Sequence, residues 1–155
     1  MPLLRTALSW NFVLATAICA SLLAQLIKVL LNLFIFHRFI AERMWGAGGM
    51  PSSHSATVCA MVVATGRYCG VNSPIFAIAA VLSIIVMYDA MGVRYETGEQ
   101  AKVLNRMFTE WMDQGFEQFQ LPHGKKLKEM VGHTPIEVVT GAALGIVLGF
   151  AMPMM

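Results

Sequence analysis

Residues 8–36 read LSWNFVLATAICASLLAQLIKVLLNLFIF, and this run decides the fold class. About 20 apolar residues in a helix suffice to cross a bilayer, and the run exceeds that even with Asn11, Gln25, Lys28 and Asn32 inside it. Arg5 ahead of it has the look of a secretory leader. The apolar stretch, however, continues from Ala7 to Phe36, beyond the roughly 7–15 residues of a leader's core. A retained spanning helix is expected. The rest of the chain agrees: of 155 residues, 57% are hydrophobic and 13% charged, with a mean hydropathy of +0.63. Soluble domains run at about 45–50% and about 25%. A chain this short cannot hide so much apolar surface in one core, so lipid must take the remainder.

Working outward, three further segments suit a membrane. One opens at Pro51-Ser52-Ser53-His54 and continues to Tyr68, one covers Pro74–Tyr88, and the last covers Ile136–Met152. Gly70–Ser73 punctuates the second and third as a turn. The one extended polar region is Gly92–His133. Within it, over Glu99–Phe119, Val103, Met107, Trp111, Phe116 and Phe119 recur among charges, the pattern of an amphipathic helix at the interface or over the bundle. Leu121-Pro122-His123-Gly124 ends it, and Lys125, Lys126 and Lys128 follow as a headgroup-facing edge. The expected architecture is all-α: an integral, multi-pass membrane bundle of four spanning helices plus an interfacial helix, forming a single domain over residues 1–155.

Four spans place the Arg38–Met50 loop, the Asp89–Arg94 turn and the Gly92–His133 segment on one side. Arg38, Arg43, Arg94, Lys102, Arg106, Lys125, Lys126 and Lys128 share that side, against Arg5 and Arg67 on the other. The positive-inside rule makes the loop-rich side cytoplasmic. A net charge of +2, with no basic run interleaved with aromatics, gives no reason to expect a nucleic-acid partner. Cys19, Cys59 and Cys69 are odd in number and lack CxxC spacing, so they read as packing residues rather than a zinc site or disulfide framework. The twelve methionines fit an adaptable apolar interior.

At about 100° per residue, Gln25, Lys28 and Asn32 share a stripe that Asn11 joins. Ionisable groups inside membranes face polar cavities or the bundle interior. Lys28, near the end of its span, either snorkels to the headgroups or aims its ammonium into an anion site; its polar neighbours favour the second. The last span opens with His133-Thr134-Pro135-Ile136-Glu137. Pro135 suits a first helical turn. Glu137 is either a first-turn residue that suits the helix dipole or the carboxylate that orients His133. The Met50-Pro51-Ser52-Ser53-His54-Ser55 stretch follows Gly46-Ala47-Gly48-Gly49. It reads as an N-cap or, given His54, as an anion cradle of serine hydroxyls and free backbone N–H groups. Two histidines thus begin two helices at one membrane face, with a lysine from a third helix aimed at that layer. One could attack phosphorus while the other protonates the leaving oxygen.

These residues resemble the type 2 phosphatidic acid phosphatase superfamily, and more closely its divergent small branch. That superfamily carries Lys-x6-Arg-Pro, Pro-Ser-Gly-His and Ser-Arg-x5-His-x3-Asp motifs. Pro51-Ser52-Ser53-His54 resembles the second, His133-Thr134-Pro135-Ile136-Glu137 through Gly141 the third, and Lys28 the lysine of the first. Gly48-Gly49-Met50-Pro51-Ser52-Ser53-His54-Ser55, Tyr88-Asp89-Ala90-Met91-Gly92-Val93-Arg94 and Gly132-His133-Thr134-Pro135 resemble the divergent branch, in order along nearly the whole chain. The resemblance implies a metal-independent enzyme without cofactor that acts on lipid phosphates or diphosphates. It implies His133 as the nucleophile, Glu137 orienting it in place of Asp, and His54 as general acid, with Lys28, Ser52 and the Ser53 backbone holding phosphate. The sequence departs where Ile35 and Phe36 replace Arg-Pro, Leu127 replaces the arginine ahead of the nucleophile, and Ser53 replaces glycine. Arg94 and Lys128 are the candidates to supply the missing cations, and Gln25, Asn32 and Asp89 are candidate supporting residues.

Asp89 has three readings: an ion pair with Arg94, a helix cap, or a metal ligand. Three functions compete accordingly. The first is a lipid phosphate or diphosphate phosphatase in the bilayer. The second is a non-catalytic binder or carrier using the same cradle. The third is a metal-dependent enzyme built on Asp89, Glu96, Glu99, His133 and Glu137, since His and Glu four apart can share a metal on a helix face. So few helices around one site are compatible with a homodimer.

Overall fold

The computed structural model describes residues 11–36, 49–114, 126–129 and 131–154. Arg5, most of the Arg38–Met50 loop, Phe116, Phe119, the 121–124 stop and Lys125 lie outside the described residues. Helix α1 (Phe12–Phe36) begins where Asn11 Oδ1 accepts the Leu14 N–H at 3.0 Å, a strong capping arrangement. Asn11 is therefore committed to the cap and does not extend the polar stripe of Gln25, Lys28 and Asn32. Helix α2 (Ser53–Cys69) is capped by the Ser52 side chain and closes at Gly70, whose φ of 84° favours glycine. Helix α3 (Pro74–Met91) carries Pro74 in its first turn, and the Ser73 side chain accepts the Phe76 N–H.

The polar region departs from its expected layout. Helix α3 runs past Tyr88 to Met91, and α4 (Val93–Asp113) starts at once beyond Gly92, so Asp89–Arg94 is a helix–helix joint rather than a turn. Helix α4 begins at Val93, not Glu99, because Gly92 redirects the chain while its N–H still bonds Tyr88 O at 2.8 Å. Glu96 then suits the first turn electrostatically. Helix α5 (Pro135–Ala151) opens with a capping box formed by Thr134 and Glu137.

Helix α2 lies at the centre and packs against α1, α3 and α5. Its contacts are close because the facing residues are small. Ala20 and Ala24 of α1 meet Ala56 and Ala60 of α2, with Leu144 and Leu148 of α5 against them. On α5, a Cβ at Gly141 or Gly145 would collide with the carbonyl of Ser52 or Ala56, and one at Gly149 would lie 2.7 Å from Val63 Cβ. Small residues at such spacing let backbones approach where no water drives association. Between α2 and α3, buried Cys59 Sγ sits 3.8 Å from Ser83 Oγ; the three cysteines are free thiols.

The outer surface is apolar. Ile75, Ile78, Val81, Leu82, Ile84 and Ile85 of α3 are all exposed, a patch that a soluble monomer would not carry. Helix α1 and the stretch from Pro74 are long and apolar enough to cross a bilayer, and α5 is apolar but shorter. The chain is an all-helical membrane bundle.

At the end of the bundle that holds the α2 and α5 C-termini, Arg67 donates from Nη1 to Gly149 O, Phe150 O and Met152 O at 2.6, 3.1 and 2.8 Å. Its guanidinium stands 5.5 Å from the Phe12 ring centroid, and Phe12 packs against Tyr68. One side chain thereby ties α1, α2 and α5 together.

Candidate functional site

The opposite end gathers the chemistry. The N-termini of α2 and α5 lie side by side because the Ser52 N–H donates to Glu137 O at 2.9 Å. That bond fixes the start of one helix to the first turn of the other, with the close approach at Gly141 beneath it. Ser52 is fully buried; its Oγ accepts the Ser55 N–H at 3.4 Å and lies 3.1 Å from Ser55 Oγ. A hydroxyl that accepts both keeps its own proton to donate. The backbone N–H groups of Ser53 and His54 have no hydrogen-bond partner among the described residues, as the first turn of a helix leaves them.

His133 is 1% exposed. Its backbone N–H donates to Ala90 O at 3.0 Å, which ties it to the end of α3. Its Nδ1 lies 3.1 Å from Glu137 Oε2, and the same oxygen accepts the Thr134 N–H at 3.1 Å. The two readings of Glu137 are therefore both realised: one carboxylate closes the capping box and contacts the imidazole. With Nδ1 protonated toward Glu137, Nε2 carries the free lone pair. This Nε2 is buried with no hydrogen-bond partner among the described residues, and buried polar atoms are rarely left so. Burial pushes the His133 imidazole below its ordinary value, while Glu137 pulls the other way. The ring is neutral at neutral pH.

His54 is exposed at the start of α2. Its ring centroid lies 6.1 Å from that of His133, at an interplanar angle of 64°. Lys28, at 2% exposure, does not snorkel outward. Its aliphatic chain lies along Gly49, where a Cβ would stand 3.5 Å from Lys28 Cδ and where a φ of 85° favours glycine. The Lys28 charge acts on both imidazoles and is itself acted on by Glu137. Arg94 also acts on both rings and forms an ion pair with Asp89 at 2.5 Å. Of the readings for Asp89, the ion pair is realised.

The remaining candidates are placed differently. Gln25 Oε1, one turn from Lys28, is buried without a partner among the described residues, and Asn32 is half-buried. Lys128 is exposed, and no described contact joins it to either imidazole. The reason lies next to it: Leu127 is held against α4 by Asn105, whose Oδ1 accepts the Leu127 N–H at 2.8 Å and whose Nδ2 donates to Leu127 O at 2.9 Å. Residues 127–129 thus run along α4. Sequence reasoning passed over Asn105, because at about 100° per residue it lies opposite the Val103, Met107 and Trp111 stripe, where an amide reads as solvated. Glu99 pairs with Lys102 at 2.6 Å. Among the described residues, no three His, Cys, Asp or Glu side chains gather closely enough to hold a metal.

Two histidines and a serine cap thus stand at membrane-helix N-termini, with a lysine buried inside a third helix. The chain matches the Divergent PAP2 family over residues 9–148, and it belongs to that family. It is also 38% identical over 144 residues to the "Uncharacterized membrane protein YuiD" of Bacillus subtilis (strain 168), covering 89% of this chain and 91% of that protein. No solved structure matches it.

Proposed function

We propose that the chain is a multi-pass phosphatase of membrane lipid phosphates or diphosphates, working without a metal through a phosphohistidine on His133, with its site on the cytoplasmic face. The observation that carries this reading is His133 itself. It is a buried neutral imidazole with Nδ1 against a carboxylate and Nε2 without a partner, one ring away from a second, exposed histidine.

The chemistry follows from those positions. His133 Nε2 attacks phosphorus as the bond to the leaving oxygen breaks, and His54 delivers a proton to that oxygen. Positive charge arising on His133 is held by Glu137. Water then attacks the phosphohistidine with His54 taking its proton, and inorganic phosphate leaves as Nε2 regains its lone pair. Phosphoryl transfer needs mainly alignment and charge neutralisation; Lys28, Arg94, the Ser52 hydroxyl and the N–H groups of Ser53 and His54 are the donors for it. Arg94 is the cation that takes over from the absent family arginines. The exposed apolar faces let the substrate's tail stay in lipid while its head reaches the helix N-termini.

The test is release of inorganic phosphate from a panel of lipid phosphates by the purified chain, with and without chelator. Rapid quench should trap an acid-labile, base-stable label on His133. Leucine at position 127 favours one other reading, a non-catalytic lipid-phosphate binder. Binding without release, and no trapped label, would establish that reading instead.

A further inference from the structure

Resting on that reading of His133, we propose that α4 is a register clamp for the segment leading into the nucleophile and that Asn105 is its positioning residue. Asn105 is 5% exposed, and nothing in the phosphoryl-transfer scheme uses it. Its side-chain amide takes both the N–H and the C=O of Leu127, and Nδ2 also donates to Glu129 Oε1 at 2.8 Å. Amide oxygen and nitrogen are thereby assigned by their partners. An amide that satisfies both backbone groups of one residue behaves as a neighbouring strand would and selects that residue over those beside it.

Further contacts continue the track toward His133. A Cβ at Gly98 would stand 2.5 Å from Glu129 O, and one at Gly132 would collide with the Tyr95 backbone. The His133 N–H then reaches Ala90 O. The segment therefore runs antiparallel to α4, with position 127 at 105, 129 at 98 and 132 at 95. Gly98, Ala101 and Asn105 are the buried residues of α4, so the helix presents a small-residue track with one polar key in it.

Its consequence for the site is a distance. A slip of one residue moves the following chain by about 3.3 Å, enough to take Nε2 out of attacking range. Asn105 contacts neither imidazole and acts through the Leu127 backbone and the Glu129 carboxylate.

The experiment uses the full chain in lipid nanodiscs and compares wild type, Asn105→Asp and Asn105→Asp/Glu129→Gln. The single variant removes the donor and sets a carboxylate against Glu129 and Leu127 O. The double variant restores a donor, now an amide at position 129 facing the carboxylate at position 105. Carbethoxylation by diethyl pyrocarbonate, read residue by residue by mass spectrometry, reports protection of His133, with exposed His54 as internal reference. In Asn105→Asp, His133 becomes several times more reactive while His54 is unchanged, and the double variant recovers part of the protection, since the 105–129 bond returns while Leu127 O still faces a carboxylate. With a hydrolysed lipid phosphate as substrate, kcat falls about 10- to 100-fold in the single variant while KM changes far less.

His133 protection equal to wild type in Asn105→Asp overturns the assignment. So does an equal rise at both histidines in the single and double variants, which would make Asn105 a general fold residue. If wild type releases no phosphate from any lipid phosphate, the proposed function fails, and the protection pattern still decides the clamp.

Discussion

The two ends of this bundle treat polarity in opposite ways. At the Arg67 end, one guanidinium meets three carbonyls at the close of α5 and lies beside an aromatic ring. Every helix C-terminus leaves carbonyls without partners, and here a side chain satisfies them. At the His133 end, Nε2 and Gln25 Oε1 are buried without partners, and Lys28 is buried with no ion pair among the described residues. A native fold that leaves polar atoms unsatisfied at one end and binds them fully at the other is using the first for something besides stability. On the proposed reading, the difference separates what holds the helices together from what receives the phosphate.

Substitutions at the two ends should therefore part activity from stability. The largest effect is expected for His133→Ala: phosphate release drops by about 10³-fold or more, because a nucleophile removed from a unit takes most of the unit's contribution with it. Thermal stability should change far less than activity, since the unpartnered Nε2 is lost together with the Nδ1 contact to Glu137. If release persists, the difference between the two ends is not catalytic. Next comes His54→Ala, expected to cost about 10²- to 10⁴-fold as loss of a general acid. The test is a substrate pair: a phosphate ester with a nitrophenol leaving group should lose much less than a lipid alkyl phosphate, and an equal loss on both would remove the acid role from His54. At the other end, Arg67→Ala removes the donor from the partly buried carbonyls of Gly149 and Met152, at about 1 kcal/mol. The thermal midpoint should fall while the kcat of the folded fraction stays near wild type.

The smallest expected effect is a pH dependence of stability. His133 has its imidazole pushed down by burial, so the unfolded chain binds its proton first, near the ordinary value of about 6.5. Stability rises with pH wherever the unfolded state holds more protons. The contribution is therefore complete above that value and is lost as pH falls through the lower folded value. Thermal midpoints measured downward from neutral pH should decline more steeply in wild type than in His133→Gln, and parallel curves would break the argument.

Much of this was legible in the residues, for reasons that differ from place to place. The apolar runs fixed α1, α3 and α5 because their length alone answers to the bilayer. Pro74 and Pro135, with the serines ahead of His54, marked helix starts to within a residue or two because capping is local chemistry. The meeting of His54 with His133 was readable only in part. The alternation of spans puts them at one face, but their spacing depends on the Ser52–Glu137 bond and on Gly141, contacts far apart along the chain. The path of the chain beside Lys128 was not readable for the same reason: Leu127 and Glu129 are held by Asn105 on another helix, partly through backbone groups that no side-chain pattern records. Asn11 misled for a shorter-range one, since an amide at a helix start accepts an N–H before it can serve a stripe.

The bond from the Ser52 N–H to Glu137 O has a mechanical meaning as well. It joins the two histidine-bearing helices at a common joint, while the lysine arrives on a third helix that is not part of that joint. The separation of the imidazoles is thus a property of α2 and α5 together, whereas the approach of the lysine is set by the packing of small residues between α1 and α2.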